Sequence, residues 1–243
     1  MKYTLNFKEF GEYAVLIEWP SEINESILDE ILKFQQQAGQ HFKNKNFEYI
    51  PSYTTLTIID VSKQLKASEL KHILQSLVIE DSGQYKVQRN LWKIPVCYDA
   101  SFAPDMDLLC DEKKLTPAQI IKQHTEATYT IYCMGFLPGF MYLGGLPEAL
   151  HFRRKSTPRL SVMPGSVGIG GNQTGIYPQE SPGGWNLIGN CPVKLFNINN
   201  MPPCFVKVGD KVKFYEISRP EYDIIDIKVQ TGIYEPEKEV WND

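Results

Sequence analysis

The sequence predicts an α+β protein: a small α/β sandwich over residues 1–88, followed by a strand-dominated barrel or sandwich over residues 89–243. Two observations carry this. In the first third, strand-like segments alternate with amphipathic helices, the pattern of a compact layered unit. Beyond the polar, turn-rich joint "EDSGQ" at Glu80–Gln84, short β segments are separated by Gly/Pro clusters, the pattern of barrels and sandwiches.

Taken in order, "YTLNF" and "YAVLIEW" read as strands flanking the "FGEY" turn. "INESILDEILKFQQ" places Ile23, Ile27, Ile31 and Phe34 at i, i+4, i+8 and i+11, one face of a helix that needs a sheet to cover it. "FEYI" and "TTLTIID" supply further strands. "SELKHILQSLV" opens on Ser68 as an N-cap and lines up Leu70, Ile73, Leu74 and Leu77. After the joint, "YKVQRNLWKIPVCY" alternates as a long strand. "LTPAQIIKQH" carries a Thr116 to Gln119 capping box with Pro117 at the first helical position. "TYTIYCMGF", "LSVMPGSVGIG", "CPVKLFNI" and "DKVKFYEI" read as short strands.

Composition narrows the function classes. With 42% hydrophobic residues the chain buries a full core, and a formal charge of -4 without a Lys/Arg cluster interleaved with aromatics excludes nucleic acid as a partner. No apolar run approaches the roughly 20 residues of a membrane span, and the amino terminus lacks a signal-peptide pattern, so a cytoplasmic protein is expected. The five cysteines form no C-x-x-C pair, which leaves neither a disulfide framework nor a zinc site.

The densest feature is "GSVGIGGNQTGIYPQESPGGW", Gly165–Trp185, with seven glycines and a single charge, Glu180. It fails as a dinucleotide fingerprint because Gln173 stands where the third glycine belongs, and no G-K-[S/T] follows for a Walker A loop. It also fails as a nucleophile elbow, since Pro164 stands where G-x-S-x-G around Ser166 needs glycine. Two readings remain: barrel turns that need bare backbone, or a binding surface in which Ser166, Gln173, Tyr177, Ser181 and Trp185 offer polar contacts and one flat ring.

Arg159 and Glu180 are the only charges between Ser156 and Lys194. Arg159 is therefore either a carboxylate or phosphate clamp, or the internal partner of Glu180. His124 closes a helix, where a dipole cap and a proton-transfer group are both open readings. "MGFLPGFMYLGGLP" brings Phe136, Pro138, Phe140 and Tyr142 together as either a core hairpin or a rim for a partner.

"HTEATYTIYCMGF", "GFLPGFMYLGGLP" and "TPRLSVMPGSVGIGGNQTGIYPQESPGGWNLIG" resemble the family containing the B subunit of bacterial 5-oxoprolinase, the sporulation kinase inhibitor of bacilli and the allophanate hydrolase subunit 1 domain. One departure is local: the family's V-P-A-G-S reads V-M-P-G-S over Val162–Ser166. The resemblance implies a cyclophilin-like β-barrel as the second domain. It implies a component of an ATP-dependent lactam hydrolase that acts on 5-oxoproline. Its partners would be a second cyclophilin-like protein, the C subunit of such enzymes, and the lactam-hydrolase A subunit. ATP would be shared with the partner and not held by this chain alone. Under that reading Arg159 and His124 are the catalytic candidates, Gln173, Tyr177, Trp185, Ser166 and Ser181 bind substrate, and Phe136, Pro138, Phe140 and Tyr142 meet the partner. Two alternatives stand beside it: a regulatory inhibitor of a sensor histidine kinase, and a subunit of a urea or allophanate system.

Overall fold

The structure is a computed structural model that describes residues 2–79 and 87–241. The joint expected at Glu80–Gln84, and the first two residues of the strand expected from Tyr85, lie outside the described residues. The chain forms two compact units, Met1–Gln88 and Arg89–Asp243.

The first unit runs β1 (Asn6–Glu9), β2 (Ala14–Glu18), α1 (Glu25–His41), β3 (Phe47–Ser52), β4 (Thr55–Asp60) and α2 (Ala67–Ile79). Its antiparallel sheet has the order β1-β2-β4-β3. Asn24 caps α1 by accepting the backbone N–H of Ile27, at 2.9 Å. That cap places Ile23 outside the helix, exposed, and the stripe that packs on the sheet is Ile27, Ile31 and Phe34. From α2, Leu70, Leu74 and Leu77 complete the same core. Ser68 lies one residue inside α2, whose first residue is Ala67.

The second unit runs β5 (Arg89–Cys97), α3 (Met106–Lys113), α4 (Pro117–Glu126), β6 (Tyr129–Met134), β7 (Met141–Gly144), β8 (Arg159–Val162), β9 (Ser166–Gly170), β10 (Gln173–Ile176), β11 (Ser181–Gly183), β12 (Asn186–Asn190), β13 (Lys211–Ile217), α5 (Arg219–Gln230) and β14 (Glu237–Trp241). Seven strands, in the order β6-β13-β5-β12-β9-β10-β7, close into a barrel through pairing of β6 with β7. Strands β13 and β5 are parallel and the other barrel pairs antiparallel. Closure removes the exposed edges, and the interior fills with Ile94, Ile131, Leu143, Val167, Ile188 and Phe214 among others. The α+β class and the barrel are thus as expected.

The capping box of α4 forms as the sequence specifies: the Thr116 hydroxyl accepts the Gln119 N–H and the Gln119 side chain accepts the Thr116 N–H. "LSVMPGSVGIG" is two strands, β8 and β9, divided at the turn where Gly165 takes φ +79°. "CPVKLFNI" is not a strand. Cys191, Val193 and Leu195 do alternate into the barrel core, but the segment has left the sheet after Asn190, so the alternation records burial without a ladder. Among the described residues, no helix is long and apolar enough to cross a membrane.

Candidate functional site

The glycines of β9 and β10 make a flat bed for one ring. Gly168 and Gly170 share a face of β9, and Gly175 on β10 stands opposite Gly168. A Cβ at Gly170 would come within 2.5 Å of the Trp185 Nε1, one at Gly168 within 3.1 Å of the Trp185 Cβ, and one at Gly175 within 3.1 Å of its Cζ3. On β11, a Cβ at Gly183 would meet the Tyr177 hydroxyl at 2.5 Å. The bare backbone at Gly168, Gly170, Gly175 and Gly183 is therefore covered by indole and phenol rings.

Phe140, buried immediately before β7, is the hub of this cluster. Its ring meets Phe136, Tyr142, Tyr177 and Trp185 edge to face, with centroids 5.7, 4.9, 5.5 and 5.4 Å away. These rings line a pocket of about 360 Å³ whose remaining wall includes Arg154, Lys155 and Gly184. Burial pushes the Tyr177 and Tyr142 phenols up, so both stay protonated and able to donate. The Arg154 guanidinium lies over the Trp185 ring, 5.6 Å from its centroid.

Behind the cationic wall stands Asp105, the residue preceding α3, only 3% exposed. Its carboxylate does not cap that helix. One oxygen accepts Lys155 Nζ at 2.9 Å and Arg159 Nη2 at 2.8 Å; the other accepts the Leu187 N–H at 2.7 Å. Burial alone would raise the Asp105 carboxyl, but the hydrogen bonds from Arg159, Leu187 and Lys155 outweigh it and hold the group below the usual carboxylate range. Lys155, which faces the pocket, is thereby held in place from behind.

Of the residues singled out in the sequence, Tyr177, Trp185, Phe136, Phe140 and Tyr142 converge on the pocket. Pro138 is exposed but does not line it. Gln173 is half-buried on β10, Ser166 is buried on β9, and neither faces the pocket. Ser181 is buried on β11 with its hydroxyl lacking a hydrogen-bond partner among the described residues. Arg159 pairs with Asp105 and not with Glu180, whose carboxylate accepts the Ser161 hydroxyl instead, at 2.6 Å. One Arg159 donor nitrogen is thus spent on an internal pair, and the residue does not line the pocket.

His124 requires the larger correction. Its ring is fully buried in the barrel, stacked on Phe214 at 4.6 Å. Nδ1 lies 2.7 Å from the Tyr98 hydroxyl and Nε2 lies 3.0 Å from the Thr174 hydroxyl. Thr174 donates its own proton to the Gly168 carbonyl, at 3.0 Å, so Nε2 carries the imidazole proton and Nδ1 accepts from Tyr98. Burial pushes the histidine down to about 3. The ring is neutral, both nitrogens are occupied within the barrel core, and it does not line the pocket.

Sequence reasoning missed Asp105, Arg154 and Lys155. The run Arg153-Arg154-Lys155 was a legible charge cluster beside the glycine stretch. Asp105 had only its position before a helix to mark it, which reads as an ordinary cap.

The family described as the carboxyltransferase domain, subdomain C and D, matches residues 5–206. The B subunit of 5-oxoprolinase from Bacillus subtilis (strain 168) is 36% identical over 236 residues, covering 91% of this chain and 97% of its own. The solved structure of TTHA0988 is 28% identical with a TM-score of 0.74, covering 86% of this chain and 41% of that one. The urea carboxylase of Kluyveromyces lactis, 18% identical with a TM-score of 0.77 over 98% of this chain and 24% of its own, shares the fold. The chain thus spans nearly all of the B. subtilis protein, but less than half of TTHA0988 and about a quarter of the urea carboxylase. It belongs to the carboxyltransferase subdomain C and D family, in the branch of the proteins named as the B subunit of 5-oxoprolinase.

Proposed function

We propose that the chain is the B subunit of an ATP-dependent 5-oxoprolinase complex, contributing with its partner subunits to the activation of 5-oxo-L-proline for ring opening to L-glutamate. The observation that carries this is the near end-to-end match to a protein named as the B subunit of 5-oxoprolinase. The pocket's chemistry supports it. A five-membered lactam is flat on one side and polar at its edge, which suits an aromatic pocket with phenol donors and a cationic wall. In this reading Tyr177 and Tyr142 hydrogen-bond the lactam, Trp185 and Phe140 pack against the ring, and Arg154 takes the anionic group first sought for Arg159. Exposed Phe136, at 60%, belongs to the rim that would meet the two other components, one cyclophilin-like and one a lactam hydrolase.

Trp185 and Tyr177 cover the backbone at Gly168, Gly170, Gly175 and Gly183, which supports a nucleotide held together with the partner and not by this chain alone. In this reading ATP is shared with the partner subunit.

The test is coexpression with the candidate partner subunits and measurement of ATP-dependent loss of 5-oxoproline. Turnover that needs all subunits, and that falls at least tenfold with Arg154→Gln, is the expected result. Absence of turnover with every component present and folded would remove the reading, and unchanged autophosphorylation of a sensor kinase in excess protein would likewise remove the inhibitor alternative.

A further inference from the structure

Helix α5 is closed at both ends and poorly covered. Ser218 and Glu221 form its capping box, and Gly232, at φ +74°, ends it: the Gly232 N–H donates to the Val229 carbonyl at 3.2 Å and the Ile233 N–H to the Lys228 carbonyl at 2.9 Å. Half-buried Tyr222, Ile225 and Val229 face the barrel, where the Tyr222 hydroxyl donates to Asn190 Oδ1 at 2.9 Å. The outward side is where a surface helix carries charge, yet Ile224 and Ile227 are 54% and 61% exposed. A helix ending of this kind folds the residue after the glycine back beside the last turn, so Ile233, 70% exposed, joins Ile227. None of the three isoleucines lines the aromatic pocket.

We infer that α5 and Ile233 form a docking face for the cyclophilin-like component of the complex, meeting it with an apolar centre and an acidic border. This rests on the subunit reading above, in which that component shares ATP with this chain, so the two are in contact. The border decides the occupant. Residues 219–235 carry Glu221, Asp223, Asp226 and Glu235 against Arg219 and Lys228, and Arg219 is spent on Asp223 at 3.1 Å. A second copy of this chain, packed on a twofold axis, would bring the acidic border against itself. A partner strip of aliphatic residues flanked by Lys and Arg answers both features: it covers the three isoleucines and pairs with the acids around them.

The test titrates the purified cyclophilin-like component into the whole chain by calorimetry, beside sedimentation of the chain alone. Ile227→Arg and Ile224→Lys place good helix formers at exposed positions, and each should weaken the complex about tenfold or more with an unchanged circular dichroism spectrum. Ile23→Arg, at an exposed isoleucine of the first unit, should leave the affinity unchanged. Binding should weaken as salt rises, and less steeply so in Glu235→Lys. Full binding by both α5 variants, an equal loss in Ile23→Arg, or a chain that sediments as a dimer until Ile227 is replaced each overturns the docking face while leaving the subunit reading standing. Binding of the lactam-hydrolase component alone, abolished by Ile227→Arg, overturns the choice of occupant. If the wild-type chain binds neither component, the subunit reading falls too.

Discussion

The buried histidine makes the barrel's stability a function of pH. In the folded chain His124 is held near 3 by burial, whereas the unfolded chain presents an ordinary imidazole at about 6.5. The folded pKa is the lower one, so the unfolded state binds the proton first. The stabilising contribution is fully present above about pH 6.5 and is lost progressively as the pH falls toward 3. Between pH 7.5 and 5 the linkage amounts to about 1.5 pH units at about 1.4 kcal/mol each, or about 2 kcal/mol, for this one residue. The measurement is urea unfolding of the whole chain at half-unit pH steps, in parallel with His124→Gln, which keeps a neutral donor and acceptor. The variant should be less stable at pH 7.5 yet nearly flat down to pH 5, so the difference of the two slopes isolates His124. Equal slopes, or an NMR titration of His124 with its midpoint above 5.5, would refute the assigned protonation state.

Asp105→Ala leaves Lys155 and Arg159 without their shared acceptor and should destabilise the chain by about 3 kcal/mol, the low end for a broken buried pair because both cations remain about a quarter exposed. Local opening is the readout, with Leu187 amide exchange accelerating about a hundredfold. Since the Asp105 carboxyl sits below the usual carboxylate range, its contribution is present above about pH 4 and is lost only below that, beneath the pH 7.5 to 5 range of the His124 assay. Gly170→Ala drives a methyl into the Trp185 indole and should cost about 2 kcal/mol with a shift of the Trp185 fluorescence or indole signal. Gly171→Ala meets no atom within 4 Å and is disfavoured only by its φ of +70°, about 1 kcal/mol, with the Trp185 signal unmoved. Equal effects at the two glycines would contradict the ring-bed account.

Local rules were legible where the chain satisfies them locally. The Thr116 to Gln119 box and the Ile27, Ile31, Phe34 stripe are decided within a few residues and form as read. α3 was missed, and so was α5, although Ser218, Pro220 and Glu221 spell a capping box; none of the α5 residues is buried, so no apolar stripe drew attention to it. Arg159 shows the other limit. Glu180 is the other charge of its neutral stretch, but the partner chosen by the fold, Asp105, lies 54 residues upstream. Such a pairing depends on α3 being brought against β12 by the closed barrel, which no spacing within the stretch records.

The glycine stretch and the aromatic cluster are one feature and not two. A strand face with side chains at Gly168, Gly170 and Gly175 would hold Trp185 away from the barrel, and a side chain at Gly183 would displace Tyr177. Removing those side chains lets both rings lie directly on backbone, where Phe140 locks them edge to face. Each ring then has one face against the sheet and is held on several sides, so the pocket is built before any ligand arrives and little rotamer entropy remains to be lost on binding. Arg154, stacked on Trp185 and without a carboxylate partner among the described residues, stands with Lys155 as the charge at the pocket's edge.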